Sequence, residues 1–292
     1  MNMENADNNS VFNNALNNSL DENPAALAED DYIDPVDGLI YCRVCGKHRQ
    51  LRFNIHGEEH IVRTLCKCGE AERDARIQEE ERREFQRRTE SLRRTGMPDR
   101  KMWEYTFDND KGYNTKLYMA QNYVDRFEDL KADGRGLLLW GQTGTGKTYF
   151  AGCIANALID KGISVYMTNF STIINQLTGA FSEEKNQIIE TINQKSLLII
   201  DDLGIERNTD YATEQVYNVI DTRYRSGRPM IITTNIILDD LKNPKDLAHK
   251  RIYDRILERC TPILIEGKNI REINMEENNR IIGEAISKNN DG

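Results

Sequence analysis

From Pro98 onward the chain alternates short apolar runs with stretches of helical periodicity. The run Gly136–Trp140 reads as a buried strand, and residues 147–160 after it read as a helix. Further strands are predicted at Ile163–Met167, Leu197–Ile200 and Met230–Thr233, each preceded by helical periodicity. Leu117, Ala120, Val124 and Phe127 mark one face of an earlier helix. Apolar runs this short, set between amphipathic helices, predict an α/β fold with a parallel sheet covered on both faces. No internal repeat is present.

Upstream the pattern is different. Residues 70–96 are almost devoid of apolar positions, and opposite charges recur four residues apart at Glu72/Arg76, Glu79/Arg83, Glu84/Arg88 and Glu90/Arg94. That pattern predicts a charged linker helix used as a spacer and ended by Gly96-Met97-Pro98. Residues 39–69 mix apolar, basic and Cys residues and read as a small compact module. Residues 1–38 are acidic and Asn-rich, and too polar to offset the entropy of ordering; the expectation is a disordered tail. Within it Val11, Phe12, Ala15 and Leu16 would share one face of a helix. The sheet-and-helix domain is expected over 97–278, followed by a C-terminal tail over 279–292 whose residues 283–292 read as frayed.

Charge sharpens this division. The net charge of the 292-residue chain is -9, but nine acids and no Lys or Arg fall within residues 1–38, so the remainder is formally neutral. An acidic balance confined to one segment does not exclude a nucleic-acid partner for the body. No run of 18 apolar residues exists, which excludes a membrane-spanning helix and gives no reason to expect a membrane partner. The N-terminus lacks the basic and apolar regions of a secretory signal. Six Cys without such a signal point to a reducing cytoplasm, where paired Cys serve metal binding or catalysis rather than disulfides.

The strongest chemical signal is Gly141-Gln142-Thr143-Gly144-Thr145-Gly146-Lys147-Thr148, placed between a predicted strand and a predicted helix. Glycines let the backbone curl into a nest of N–H groups aimed at a phosphate, and the helix N-terminus adds favourable partial charge. Lys147 would reach the β- and γ-phosphates of ATP, and the Thr148 hydroxyl would ligate Mg²⁺. A metal-holding carboxylate is needed at the end of a neighbouring strand. Leu197-Leu198-Ile199-Ile200-Asp201-Asp202 offers two: Asp201 for Mg²⁺ and Asp202 to polarise the attacking water. Asn235, at the end of Met230–Thr234, would orient that water.

In these segments the chain resembles the AAA+ ATPases, and within them the DnaC/IstB group of helicase loaders and transposition ATPases. The resemblance covers about residues 97–275 and includes Leu198–Gly204, Ile231–Asn235 and Arg251-Ile252-Tyr253-Asp254-Arg255. The last segment resembles the motif whose arginine enters the ATP site of a neighbouring subunit. By that likeness Arg255 is the first arginine-finger candidate and Arg251 the second; Arg271 resembles a late basic position of the group. Asp202 stands where AAA+ proteins usually carry Glu, one methylene longer. The resemblance implies an ATPase that self-assembles through its ATP site. The leading reading is a replicative helicase loader that binds ATP and single-stranded DNA and delivers a hexameric DNA helicase. An IstB-like transposition ATPase acting with a transposase on duplex DNA, and a nucleotide-gated adaptor with little hydrolysis, are the alternatives.

Cys42-x₂-Cys45 and Cys66-x-Cys68 place four thiols in two close pairs inside the small module. A module this short is too small for a stable core of its own, and tetrahedral Zn²⁺ would supply the missing folding energy. His48, His56 and His60 lie between the pairs and could replace one ligand. Six bases against two acids over residues 43–68 give the module a positive balance, suited to nucleic acid or to an acidic protein surface. Cys153 and Cys260 lack any partner pattern and read as packing residues.

Overall fold

The structure is a computed structural model that describes residues 27–204 and 209–287. The Asn-rich stretch and its Val11–Leu16 cluster lie outside the described residues. The chain divides into two compact units, the first ending at Glu84 and the second beginning at Phe85.

The first unit is built from two antiparallel pairs. β1 (Asp31–Ile33) pairs with β2 (Ile40–Cys42), with Tyr32 opposite Tyr41. β3 (Gln50–Ile55) pairs with β4 (Glu58–Arg63) across a two-residue turn, His56-Gly57, both at positive φ. That turn matches the right-handed twist of the strands it joins. The expected tail therefore stops short of residue 38, since Asp31 begins a strand. Its carboxylate is buried between Arg49, at 3.1 Å, and Arg63. Composition alone could not separate this acid from its solvated neighbours, because its partners lie far along the chain.

α1 (Lys67–Gly96) starts three residues before the expected linker helix. Its N-terminal part is laced by Arg82 and Arg83 on Glu79 and is exposed. Within the second unit its last turns are not a free spacer. Leu92 packs on the core, Met97 just beyond the helix is fully buried, and Arg93 bonds Asn156 and Asp160.

The second unit is a five-stranded parallel sheet in the order β6-β7-β8-β5-β9. Its strands are β5 (Gly136–Trp140), β6 (Val165–Asn169), β7 (Leu197–Leu203), β8 (Met230–Thr234) and β9 (Cys260–Leu264). Successive side chains alternate faces. Leu137, Leu139, Ile199 and Ile231 meet α2 (Leu117–Asp125), α3 (Phe127–Ala132) and α4 (Lys147–Asp160) on one face. Leu138, Leu198, Ile200 and Ile232 meet α5 (Phe170–Thr178), α6 (Ser182–Asn193), α7 (Asp210–Arg225) and α9 (Leu247–Arg259) on the other. A short α8 (Leu238–Lys242) precedes α9, and α10 (Ile270–Ser287) closes the described chain. The helix α10 thus runs on past residue 278 to Ser287, so residues 283–287 of the stretch expected to fray are helical. Cys153 and Cys260 are buried in the two cores, as packing residues would be. Among the described residues no helix is long and apolar enough to cross a membrane.

The apolar pattern does not foretell β9. It is an edge strand with Pro262 at its centre and two exposed positions, so it lacks the apolar run that marks the others.

A fully buried arginine staples one end of the sheet. Arg223 donates to the carbonyls of Asn193 (2.9 Å), Lys195 (2.9 Å), Ser196 (3.1 Å) and Pro229 (3.1 Å), joining the end of α6 to the starts of β7 and β8. Burial pushes its pKa down to about 9. Arg223→Met would strand the carbonyls of Lys195 and Ser196, while Asn193 O keeps Arg228 and Pro229 O keeps the Leu198 N–H, and we expect a loss of about 3 kcal/mol of unfolding free energy. A urea midpoint that falls with an unchanged slope checks this; an unmoved midpoint contradicts it.

Candidate functional site

Gly141, Gly144 and Gly146 all have positive φ, at 145°, 83° and 93°. A Cβ on Gly144 would sit 1.9 Å from Asn269 Oδ1, and one on Gly141 would sit 2.3 Å from the Ile265 carbonyl. Only glycine fits this loop, which leads straight into α4 at Lys147. Gln142 and Thr143 are exposed at its tip, while Thr145 is buried and its hydroxyl donates to Gln142 O at 2.9 Å. The loop has the shape of a phosphate cradle at a helix N-terminus.

Three strand ends converge on it. Lys147, 5 % exposed, donates through Nζ to Gly141 O (2.9 Å), Gln142 O (2.7 Å) and Asn235 Oδ1 (2.7 Å). Burial holds its pKa below the usual lysine value, opposed by Asp202 and Asp201 and assisted by the positive charge of Arg271. The Thr148 hydroxyl donates to Asp201 at 3.0 Å. Asp201 is held above the usual carboxylate range by burial, against the hydrogen bonds of Thr233 and Thr148. Thr148 and Asp201 are therefore two adjacent oxygen donors that fit Mg²⁺, a cation bound through few carboxylates.

Asp202 occupies a bulge in β7, where the pairing with β8 shifts between Ile200 and Leu203. Its φ of 58° is in the left-handed region, a conformation a non-glycine residue adopts at some cost. The Asp202 N–H donates to Thr233 Oγ1 (2.9 Å), and that hydroxyl donates to Asp201 Oδ1 (2.6 Å). Thr233 thus orients both acids. Sequence reasoning misses it, although a hydroxyl at the end of the next apolar strand is a signal that could have found it.

Arg255 and Arg251 are not brought to this site. Arg255 lies on α9 against α7: Nε donates to Asp221 Oδ1 (2.8 Å) and Nη2 to Tyr217 OH (3.0 Å). Its guanidinium stacks over the rings of Tyr217 (4.9 Å) and Tyr224 (5.7 Å). Arg251, one turn earlier, is exposed beside a 610 Å³ groove between the N-terminal ends of α7 and α9. Asp221 also holds Arg225 at 2.8 Å, so one carboxylate anchors two arginines.

In the first unit the Sγ atoms of Cys42, Cys45, Cys66 and Cys68 all lie within 4.8 Å of one another. No histidine joins them among the described residues. His60 stacks on Phe53 (5.9 Å), His48 meets Tyr41 edge-on (6.0 Å), and His56 is in the hairpin turn. The Cys45 and Val44 amides pull the Cys42 thiol down to about 6, while a hydrogen bond with Cys45 and the crowding of the thiols push Cys68 up to about 11. Buried Arg49 donates to Cys42 Sγ at 3.4 Å. Four sulfurs this close make a soft, tetrahedral-capable set that fits Zn²⁺.

Comparison with known proteins agrees with the geometry. The family model described as IstB-like ATP binding protein matches residues 72–278. The replicative helicase loader DnaI of Bacillus subtilis is 30 % identical over 173 residues, which are 54 % of this chain and 55 % of that protein. An ATP-binding protein in an insertion sequence of Mycobacterium tuberculosis is 27 % identical over 141 residues, 47 % of this chain and 56 % of that protein. A crystal structure of the DnaC helicase loader matches with a TM-score of 0.50 at 26 % identity, over 57 % of this chain and 99 % of that one. The chain spans about half the length of the curated relatives it matches.

Proposed function

From the premise that this chain belongs to the IstB-like ATP-binding protein family, we propose that it is an ATP-dependent loader of a hexameric replicative DNA helicase. The observation that carries this is the meeting of Lys147, Thr148, Asp201 and Asn235, drawn from three strand ends, at one phosphate cradle. The helicase as cargo rests on the relatives named as replicative helicase loaders.

In this reading the amides after Gly141 and the ammonium of Lys147 bind the phosphates of ATP. Thr148 and Asp201 hold Mg²⁺, which when bound neutralises charge on the phosphate oxygens. Asp202 accepts a proton from the attacking water, and Asn235 orients that water. Thr233 keeps both acids in place. Arg255 of a second copy completes the site, so hydrolysis depends on self-assembly; within its own chain Asp221 and Tyr217 fix the direction in which it points.

Single-stranded DNA is the nucleic-acid partner this surface favours. Phe181, at the turn between α5 and α6, is 81 % exposed, and Lys185 lies 5.5 Å over the exposed Tyr211 ring. Exposed aromatics beside a cation suit unpaired, stacking bases. The four-cysteine module, with Zn²⁺, would grip the helicase, and the protein would act in the cytoplasm.

The relative from an insertion sequence favours a second reading, a transposition ATPase on duplex DNA. Isolation of the tagged full chain from its own cells, with and without ATP, separates the two. Recovery of the hexameric helicase supports loading; recovery of a transposase, with preference for duplex DNA, supports the second reading and overturns the first.

A further inference from the structure

The hydrogen bonds that Arg255 makes within its own chain do not use it up. Nε donates to Asp221 Oδ1 (2.8 Å), Nη1 to the Arg251 carbonyl (2.9 Å) and Nη2 to Tyr217 OH (3.0 Å). A guanidinium carries five N–H groups, so one on each of Nη1 and Nη2 remains. Two donors on neighbouring nitrogens suit the bidentate grip that arginine gives a phosphate. The side chain keeps 24 % of its surface exposed, so a partner can reach it.

The carboxylate that holds this guanidinium is itself locked. Asp221, on α7, is 8 % exposed. Its Oδ1 takes Arg255 and its Oδ2 takes Arg225 Nε at 2.8 Å, so it cannot turn without losing one of them. Two guanidiniums share one negative charge, and the trio as a whole stays positive. The Tyr217 and Tyr224 rings, 4.9 and 5.7 Å from Arg255 Cζ, limit the tilt of its plane. A loose arginine samples many rotamers, and gathering it into one at the moment of reaction slows the step.

We propose that Asp221 is a positioning residue for the ATP site of the neighbouring copy. It holds Arg255 with the two free Nη donors turned to the phosphates there, and Arg225 holds Asp221 in turn. This rests on the reading of Arg255 as the arginine that completes a second copy's site. Asp221 acts from the copy that gives the arginine, touches no nucleotide, and leaves ATP binding in its own cradle unchanged.

Mixtures of full-length variants, followed by ATP turnover, show which copy needs Asp221. Asp221→Ala alone is expected to bind ATP as the wild type does and to lose about tenfold in kcat. Mixed with an equal amount of Lys147→Ala, it should exceed the average of the two separate rates severalfold, because its cradles then meet well-held arginines. Mixed with Arg255→Ala it should give only that average, since both are defective donors of the arginine. Arg225→Ala, at a side chain 74 % exposed, is expected to lose about threefold in kcat with ATP affinity unchanged, and it decides the matter if Asp221→Ala does not fold. A wild-type rate from either variant overturns the inference. So does a loss of ATP affinity in folded Asp221→Ala, which would mark a structural role in its own chain. Recovery with Arg255→Ala, or none with Lys147→Ala, overturns it as well. Failure of Arg255→Ala and Lys147→Ala to restore each other would instead overturn the shared site itself.

Discussion

Lys147→Ala is expected to lower ATP affinity by about two orders of magnitude and to abolish turnover. The ammonium is almost entirely buried, and its three acceptors, Gly141 O, Gln142 O and Asn235 Oδ1, aim it at the mouth of the cradle. Charge-assisted hydrogen bonds are roughly twice as strong as neutral ones, and losing two of them to phosphate costs ~3 kcal/mol, or about a hundredfold in Kd. The variant should fold, because alanine removes a desolvated charge from a helix start and Asp201 keeps its hydrogen bonds from Thr148 and Thr233. Titration with a fluorescent ATP analogue at fixed salt checks the affinity. Tight binding by a folded Lys147→Ala protein would show that the loop does not cradle phosphate.

The second large effect concerns the thiol cluster. The full-length chain is expected to carry about one Zn²⁺, and Cys42→Ser or Cys66→Ser to carry almost none. Structural Zn²⁺ contributes on the order of 10 kcal/mol of folding free energy in small modules. The first unit buries few large apolar side chains, chiefly Ile40 alongside Cys42 and Cys66, so it has little else to hold it together. Strong chelation should therefore unfold residues 31–66 and leave the sheet domain intact, because that domain has its own two cores. Hydrogen exchange followed segment by segment measures this: fast exchange in β1–β4 and unchanged protection in β5–β9. Protection of β1–β4 that survives metal removal would make the four thiols idle.

What the sequence disclosed follows a physical division. Signals carried by contiguous residues were legible. The eight-residue cradle, the two acids at the end of β7 and the strands β5, β6, β7 and β8 all stand out because local backbone geometry or an apolar run demands them. The C-x₂-C and C-x-C pairs likewise pointed to four thiols that the fold gathers into one cluster, with the intervening histidines turned to other uses. Roles that arise only when distant segments meet were not legible. Thr233 orients acids 32 residues away, and Asp221 holds an arginine 34 residues away. Asp31 looked like one more acid in a solvated tail, yet it is buried between Arg49 and Arg63. β9 escaped because an edge strand with a proline needs no apolar run.

The central claim is that ATP is hydrolysed at a site shared by two copies of this chain, and one mixing experiment tests it directly. Lys147→Ala lacks a working cradle but keeps Arg255; Arg255→Ala keeps the cradle but lacks the arginine. Each alone is expected to hydrolyse ATP at a few per cent of the wild-type rate or less, with Arg255→Ala still binding ATP. Mixed in equal amounts, they should recover a substantial part of the wild-type rate, because intact cradles then meet intact arginines across the interface. A wild-type rate from Arg255→Ala alone, or a mixture no more active than its components, would contradict the shared site.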